Sequence, residues 1–145
     1  MNKYELIQPT GPDFRDEPDI AQTFTWEAGL PETGAESLYV VRFCSERNPV
    51  LSTEIVEKLV DNDHAAYAEA QHAFPDDFLL YWCDDRSPNG KSLSMCLWTS
   101  PKHARAALQL PSHQKAVEFM NETKVYDRYD VAGFIFAKIR RRAFI

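Results

Sequence analysis

His113 stands in the run Leu110-Pro111-Ser112-His113, which reads as a helix start. The dipole there favours a neutral imidazole that can accept a proton near pH 7. General-base chemistry is its natural role, against the plainer one of a surface or helix-start contact. Tyr81 lies in the apolar stretch Phe78 to Cys83, where a phenol can donate a hydrogen bond to a substrate oxygen. A buried core tyrosine is the competing reading. Arg42 is a charge on an otherwise apolar strand face and can hold an anionic group or pair with an acid of another chain. Trp82, Trp98 and Phe134 are packing residues first, and as such can wall an aromatic-lined pocket. Tyr126 and Tyr129 are placed to reach its mouth.

Other chemistries find less support. His103 follows Ser100-Pro101 as His113 follows Pro111-Ser112, but lysine and alanine flank it and it reads as exposed. Cys83 and Cys96 are on strands without an identifiable base or electropositive neighbour, so inert thiols are expected. Asp61/His64 and Glu69/His72 have the carboxylate-x-x-His spacing that chelates iron when two motifs converge from facing helices. Here both lie on one helix, so a solvated face is expected and no metal. There is no GxxxxGK[ST], GxGxxG, GxSxG or HExxH, which leaves nucleotide hydrolysis, a Rossmann cofactor, an α/β-hydrolase and a zincin without support.

The chain has 145 residues, about one domain, enough to bury roughly 68–70% of its unfolded surface without a metal or disulfide staple. A net charge of −6 argues against nucleic-acid binding, which needs clustered cations. The one basic run, Lys138 and Arg140 to Arg142, reads as a solvated tail. Three cysteines without a CxxC pair suit a reducing compartment. No secretory h-region and no apolar run of about 18 residues is present, so a cytoplasmic protein that does not span a membrane is expected.

The elements that must position these residues follow from pattern. Residues 1–36 are broken by Pro9, Gly11, Pro12, Pro18, Gly29, Pro31 and Gly34, and read as an irregular extension with a short strand at Thr23 to Trp26 and Trp26 as its anchor. Residues 37–145 form the domain. Ser37 to Ser45 is a strand, with Tyr39, Val41 and Phe43 on one face and Leu38, Val40, Arg42 and Cys44 on the other. A helix from Thr53 to about Ala73 is capped by Ser52 or Thr53 and stopped by Pro75. Phe78 to Thr99 is a hairpin turning at Pro88-Asn89-Gly90, with Leu79, Tyr81 and Cys83 on one face of its first strand and Phe78, Leu80 and Trp82 on the other. Ser100-Pro101 starts a helix that Leu110-Pro111-Ser112 breaks in two, and Tyr126 to Ile139 is the last strand.

The order βαββαβ is that of a ferredoxin-like α+β protomer, a four-stranded antiparallel sheet with both helices on one face. Both hairpin faces are apolar, so both need cover, and helices supply only one. A second copy of the sheet is the most economical other cover. On these grounds Ser37 to Ile139 resembles the dimeric α/β-barrel superfamily, whose ferredoxin-like protomers close sheet to sheet. Leu79-Leu80-Tyr81-Trp82, Leu93 to Ser100 and Pro111-Ser112-His113 are also similar to small proteins of unassigned activity.

The resemblance implies a homodimer and a pocket for a hydrophobic small molecule. It includes cofactor-free monooxygenases, cyclases that use a His/Tyr pair, isomerases, haem enzymes and non-catalytic proteins. The expected function is a cofactor-independent cyclase, isomerase or monooxygenase acting on a hydrophobic oxygenated substrate. His113 takes the proton, Tyr81 steadies the oxyanion, and Arg42, Trp82, Trp98, Phe134 and Tyr126 hold the substrate. The alternatives are a non-catalytic ligand-binding or structural dimer and a haem protein with His113 as ligand.

Overall fold

The computed structural model describes residues 3–26 and 37–137. The basic run from Lys138 and the expected strand end at Ile139 lie outside the described residues. Four strands, β1 (Ser37–Arg47), β2 (Phe78–Cys83), β3 (Lys91–Trp98) and β4 (Tyr126–Ala137), form one sheet in the order β2-β3-β1-β4. Every neighbouring pair is antiparallel. A short helix α1 (Ile20–Thr23) precedes the sheet, α2 (Thr53–Ala73) joins β1 to β2, and α3 (Pro101–Ala107) with α4 (Pro111–Thr123) joins β3 to β4. This is the ferredoxin-like α+β fold.

The helix limits are local chemistry. Ser52 Oγ accepts the Ile55 N–H at 3.2 Å to cap α2, and Ser100 Oγ accepts from His103 N to cap α3, with Pro101 in its first turn. Lys124, at φ 49°, ends α4 in the left-handed conformation. In the hairpin turn Gly90 stands at φ 85°, and a Cβ there would press on the Arg47 carbonyl at 3.1 Å, so glycine is required twice over.

Two β-bulges rewrite the alternation expected of the strands. The register of β2 against β3 shifts between Phe78 and Leu80, which puts an extra residue at Leu79. Phe78 therefore shares a face with Tyr81 and Cys83, not with Leu80 and Trp82. A second shift opposite Glu46 and Arg47 puts the extra residue at Asp127. Tyr126 and Tyr129, which a regular strand would aim to opposite sides, now stack on one face with ring centroids 5.1 Å apart.

The two faces of the sheet have different covers. Helices lie over the face carrying Tyr39, Val41, Tyr81, Cys96 and Trp98, with Ala70, Ala104 and Ala107 as the small residues beneath them. The opposite face carries Leu38, Val40, Leu80, Leu93, Met95 and Leu97, all buried, and it packs against Tyr4, Ile7, Ile20, Phe24 and Trp26 of the chain's own N-terminal segment. The cover expected from a second copy is thus supplied in cis. Residues 20–23 are a helix turn rather than the start of a strand, and Phe24 makes only an isolated bridge to Pro9. Trp26 is fully buried and its Nε1 donates to the Ile20 carbonyl at 2.7 Å.

Candidate functional site

A cavity of about 560 Å³ lies between the helices and the sheet. Its floor is Tyr39, Val41, Phe43, Tyr81, Ser94, Cys96 and Trp98, and its roof is a stripe of α2, Leu59, Asp63, Ala66, Tyr67 and Ala70, with His113, Ala116, Val117 and Met120 of α4. Tyr126, Tyr129 and Arg86 line it as well. Apolar walls with a few convergent polar groups are what a small-molecule site requires.

His113 owes its place to a neighbouring helix. Leu110 gives α4 no side-chain cap. Instead Glu69 of α2 accepts from Ser112 N at 3.2 Å and from Ser112 Oγ at 2.6 Å, so that a carboxylate meets the exposed amides of the first turn. His113 is half-buried, and burial pushes its imidazole below the ordinary range. Loss of hydration thus favours its neutral form.

Burial pushes the Tyr81 phenol well above its usual range, with the nearby Cys83 and Asp63 adding to the effect and a hydrogen bond with Ser94 opposing it. Tyr81 is a donor, never a phenolate, at physiological pH. Its ring lies 5.1 Å from that of Tyr67. The Cys83 and Cys96 thiols are also pushed up by burial, which makes them poor nucleophiles. All three cysteines are free.

Asp63 is open to solvent on part of its surface, while neighbouring protein strips away part of its hydration. That loss of hydration raises its carboxyl, with His64, Arg47 and Arg86 pulling it back down. Arg86 sits beside it, its guanidinium 5.7 Å from the Tyr126 ring centroid and its Nη1 donating to the Gly90 carbonyl at 2.6 Å.

Of the residues expected to form the site, His113, Tyr81, Trp98 and Tyr126 line this cavity. Arg42, Trp82 and Phe134 do not. Adjacent residues of a strand point to opposite faces, so Trp82 cannot join Tyr81. Trp82 packs edge-on against Phe14 and Phe24 at centroid distances of 5.8 and 5.1 Å. Arg42 donates to the carbonyls of Glu17 and Pro18, both at 3.2 Å, and lies 5.1 Å over the Phe134 ring, fastening the extension instead of an anion. His103 is also structural, its Nδ1 2.7 Å from Ser100 Oγ and its Nε2 3.4 Å from Asp77.

Asp63 and Arg47 carry no motif, yet one signal for each is in the sequence. Asp63 interrupts the apolar stripe Leu59, Ala66, Tyr67 and Ala70 of α2. Arg47 continues the cavity-side alternation of Tyr39, Val41 and Phe43 past the expected end of β1, to a point beside Arg86. Among the described residues no group of three or more His, Cys, Asp or Glu gathers to hold a metal, and no helix is long and apolar enough to cross a membrane.

A family model described as PB2B2.08-like matches residues 6–143. The chain belongs to the PB2B2.08-like family. The match begins at residue 6, within the N-terminal segment. No curated protein matches. Among solved structures, Rv0793 from Mycobacterium tuberculosis shares 14% identity over 69% of this chain and 93% of that one, with a TM-score of 0.52. A candidate antibiotic biosynthesis monooxygenase from Caulobacter crescentus shares 12% over 68% and 89%, with a TM-score of 0.54. A Bacteroides thetaiotaomicron protein of unknown function shares 13% over 70% and 100%, also at 0.54. At such identities the likeness is one of fold.

The cavity floor makes one position intolerant of any side chain. A Cβ on Gly133 would collide with the Tyr39 hydroxyl, whose ring lies across that glycine from the neighbouring strand. Gly133→Val is expected to cost about 1–3 kcal/mol in urea unfolding, as overpacking does. Adding Tyr39→Val should recover much of the loss, and a double variant no better than the single one would show that the clash is not the cause.

Proposed function

We propose that the protein is a cofactor-independent enzyme of cyclase, isomerase or monooxygenase type, acting on a hydrophobic, oxygenated small molecule by acid-base chemistry. The observation that carries this reading is that a neutral imidazole and a protonated phenol, His113 and Tyr81, line one largely apolar cavity. In the proposed step His113 removes a proton from a carbon beside a substrate carbonyl. The electron pair moves onto the carbonyl oxygen, and the Tyr81 hydroxyl donates to that developing oxyanion. Trp98, Tyr67 and Phe78 keep water from the reacting atoms.

A haem in this cavity would look to His113 as its ligand. The second ring nitrogen of His113, half-exposed, would donate to water, since among the described residues no protein group accepts from it. The proposed chemistry does not use a haem.

The homodimer and the cytoplasmic location implied by the sequence belong to the same proposal. Sheet-to-sheet pairing would require residues 3–26 to leave the face they cover, and the mass in solution tests whether copies pair at all.

Native mass spectrometry of protein purified from its own host, followed by denaturation, would release whatever the cavity carries and name its chemical class. With that compound as substrate, His113→Ala is expected to lower kcat by about 10²- to 10⁴-fold and Tyr81→Phe by about tenfold or more, with the fold intact by circular dichroism. Unchanged turnover in His113→Ala removes the central assignment. Binding without turnover in the unaltered protein would favour a non-catalytic ligand-binding role.

A further inference from the structure

We propose that the end of the cavity lined by Arg86 and Tyr126, with Arg47 beside them, is a subsite for a carboxylate, so that the ligand is an apolar carboxylic acid. This deepens the proposed function and rests on the cavity being a small-molecule site. Arg47 is the last residue of β1 and pairs with Tyr126 of β4, while Arg86 reaches the same place from the loop between β2 and β3. A guanidinium has five N–H donors. Arg86 uses Nη1 on the Gly90 carbonyl, and among the described residues no acceptor is found for the Arg47 side chain.

The Nε of each arginine is shut away from solvent with no hydrogen-bond partner, and so is closed to a ligand as well. The donors left for a ligand are the Nη hydrogens of Arg86, which lines the cavity and spends only Nη1 on Gly90. The two cations also oppose one another, and burial together with Arg47 holds the Arg86 guanidinium below its ordinary pKa. The third charge at this end is Asp63, which forms no ion pair with either arginine among the described residues and is itself disfavoured as an anion by burial. With Asp84 held by Arg15, two cations face one carboxylate whose charge burial opposes, and the excess there is positive. An anion neutralises it.

A carboxylate also matches the planar fork of a guanidinium. The hydroxyls of Tyr126 and Tyr129, kept protonated because burial raises both, stand by as further donors. Seated there, the acid would send its apolar body along the cavity floor toward Tyr81 and His113.

The test is a matched pair of probes, 1-naphthoate and the uncharged 1-naphthalenemethanol, titrated by calorimetry into the full-length protein. The expected result is at least tenfold tighter binding of the naphthoate, the range of one charge-assisted hydrogen bond. Arg86→Gln should bring naphthoate down to the level of the alcohol measured on the same variant, its fold checked by circular dichroism. Arg86→Lys should fall between. Equal affinities in the unaltered protein, or an Arg86→Gln variant that still prefers naphthoate, would overturn the subsite while leaving the cavity reading intact. Binding of neither probe would overturn both. Should Arg86→Gln fail to fold, the preference of the unaltered protein for naphthoate and its decline with added salt decide the matter alone.

Discussion

Trp26→Ala is expected to lower the unfolding free energy by about 3–5 kcal/mol, read as a fall in the urea midpoint at unchanged slope. Trp26 is fully buried beyond the chain's irregular, proline-broken stretch, and its ring stands 5.6 Å from that of Phe24, which in turn meets Trp82 at 5.1 Å. Truncation removes this packing, opens a cavity between extension and sheet, and strips the Ile20 carbonyl of the donor it holds at 2.7 Å. The cost should be that of a core residue, because Ile7, Ile20, Phe24 and Trp26 share one cluster with Val40, Leu93, Met95 and Leu97. A loss below about 1 kcal/mol would mean that the N-terminal segment is an appendage, and that the sheet face beneath it is available to another copy. A loss of the expected size, with exposed apolar surface reported by dye binding, makes the segment an integral layer of the domain.

The contrast between what could and could not be read from the sequence follows the range of the forces involved. Ser52, Ser100-Pro101 and Pro111 mark helix starts because capping joins residues two or three apart, and those limits are found where the local chemistry puts them. The bulges at Leu79 and Asp127 depend on a partner strand that sequence alone does not identify, and each exchanges the faces of the residues beyond it. This is why Phe78 joins Tyr81 on the cavity side and Tyr126 joins Tyr129, whereas simple alternation puts Trp82 and Arg42 on the side of the extension. The extension has no periodicity to read, since its conformation is dictated by the sheet it covers. Asp63, Arg86 and Arg47 come from a helix, a loop and a strand end, and only the closed fold brings them to one place.

The second large effect is expected from Arg15→Ala, a loss of about 3–5 kcal/mol, nearer the lower figure. Arg15 pairs through Nε with Asp84, whose side chain is only 4% exposed, and its Nη2 donates to the Asp85 carbonyl at 2.8 Å. Removing the cation leaves a buried carboxylate without its counter-charge, the costly half of a broken ion pair. Some compensation survives, because Ser92 Oγ and Leu93 N, the latter at 3.2 Å, still donate to Asp84. That contribution is why the lower figure is favoured. Arg15→Met with Asp84→Leu removes both charges and fills the space with apolar atoms, so the double variant should be more stable than Arg15→Ala alone. Additive losses in the full cycle would show that the pair is not coupled. The site makes this pair more than a staple: Asp84 and Asp85 lead directly into Arg86, so an extension anchored on them also holds the loop that carries the cavity's guanidinium. Arg15→Ala should therefore weaken naphthoate binding more than binding of the neutral alcohol, although Arg15 does not line the cavity.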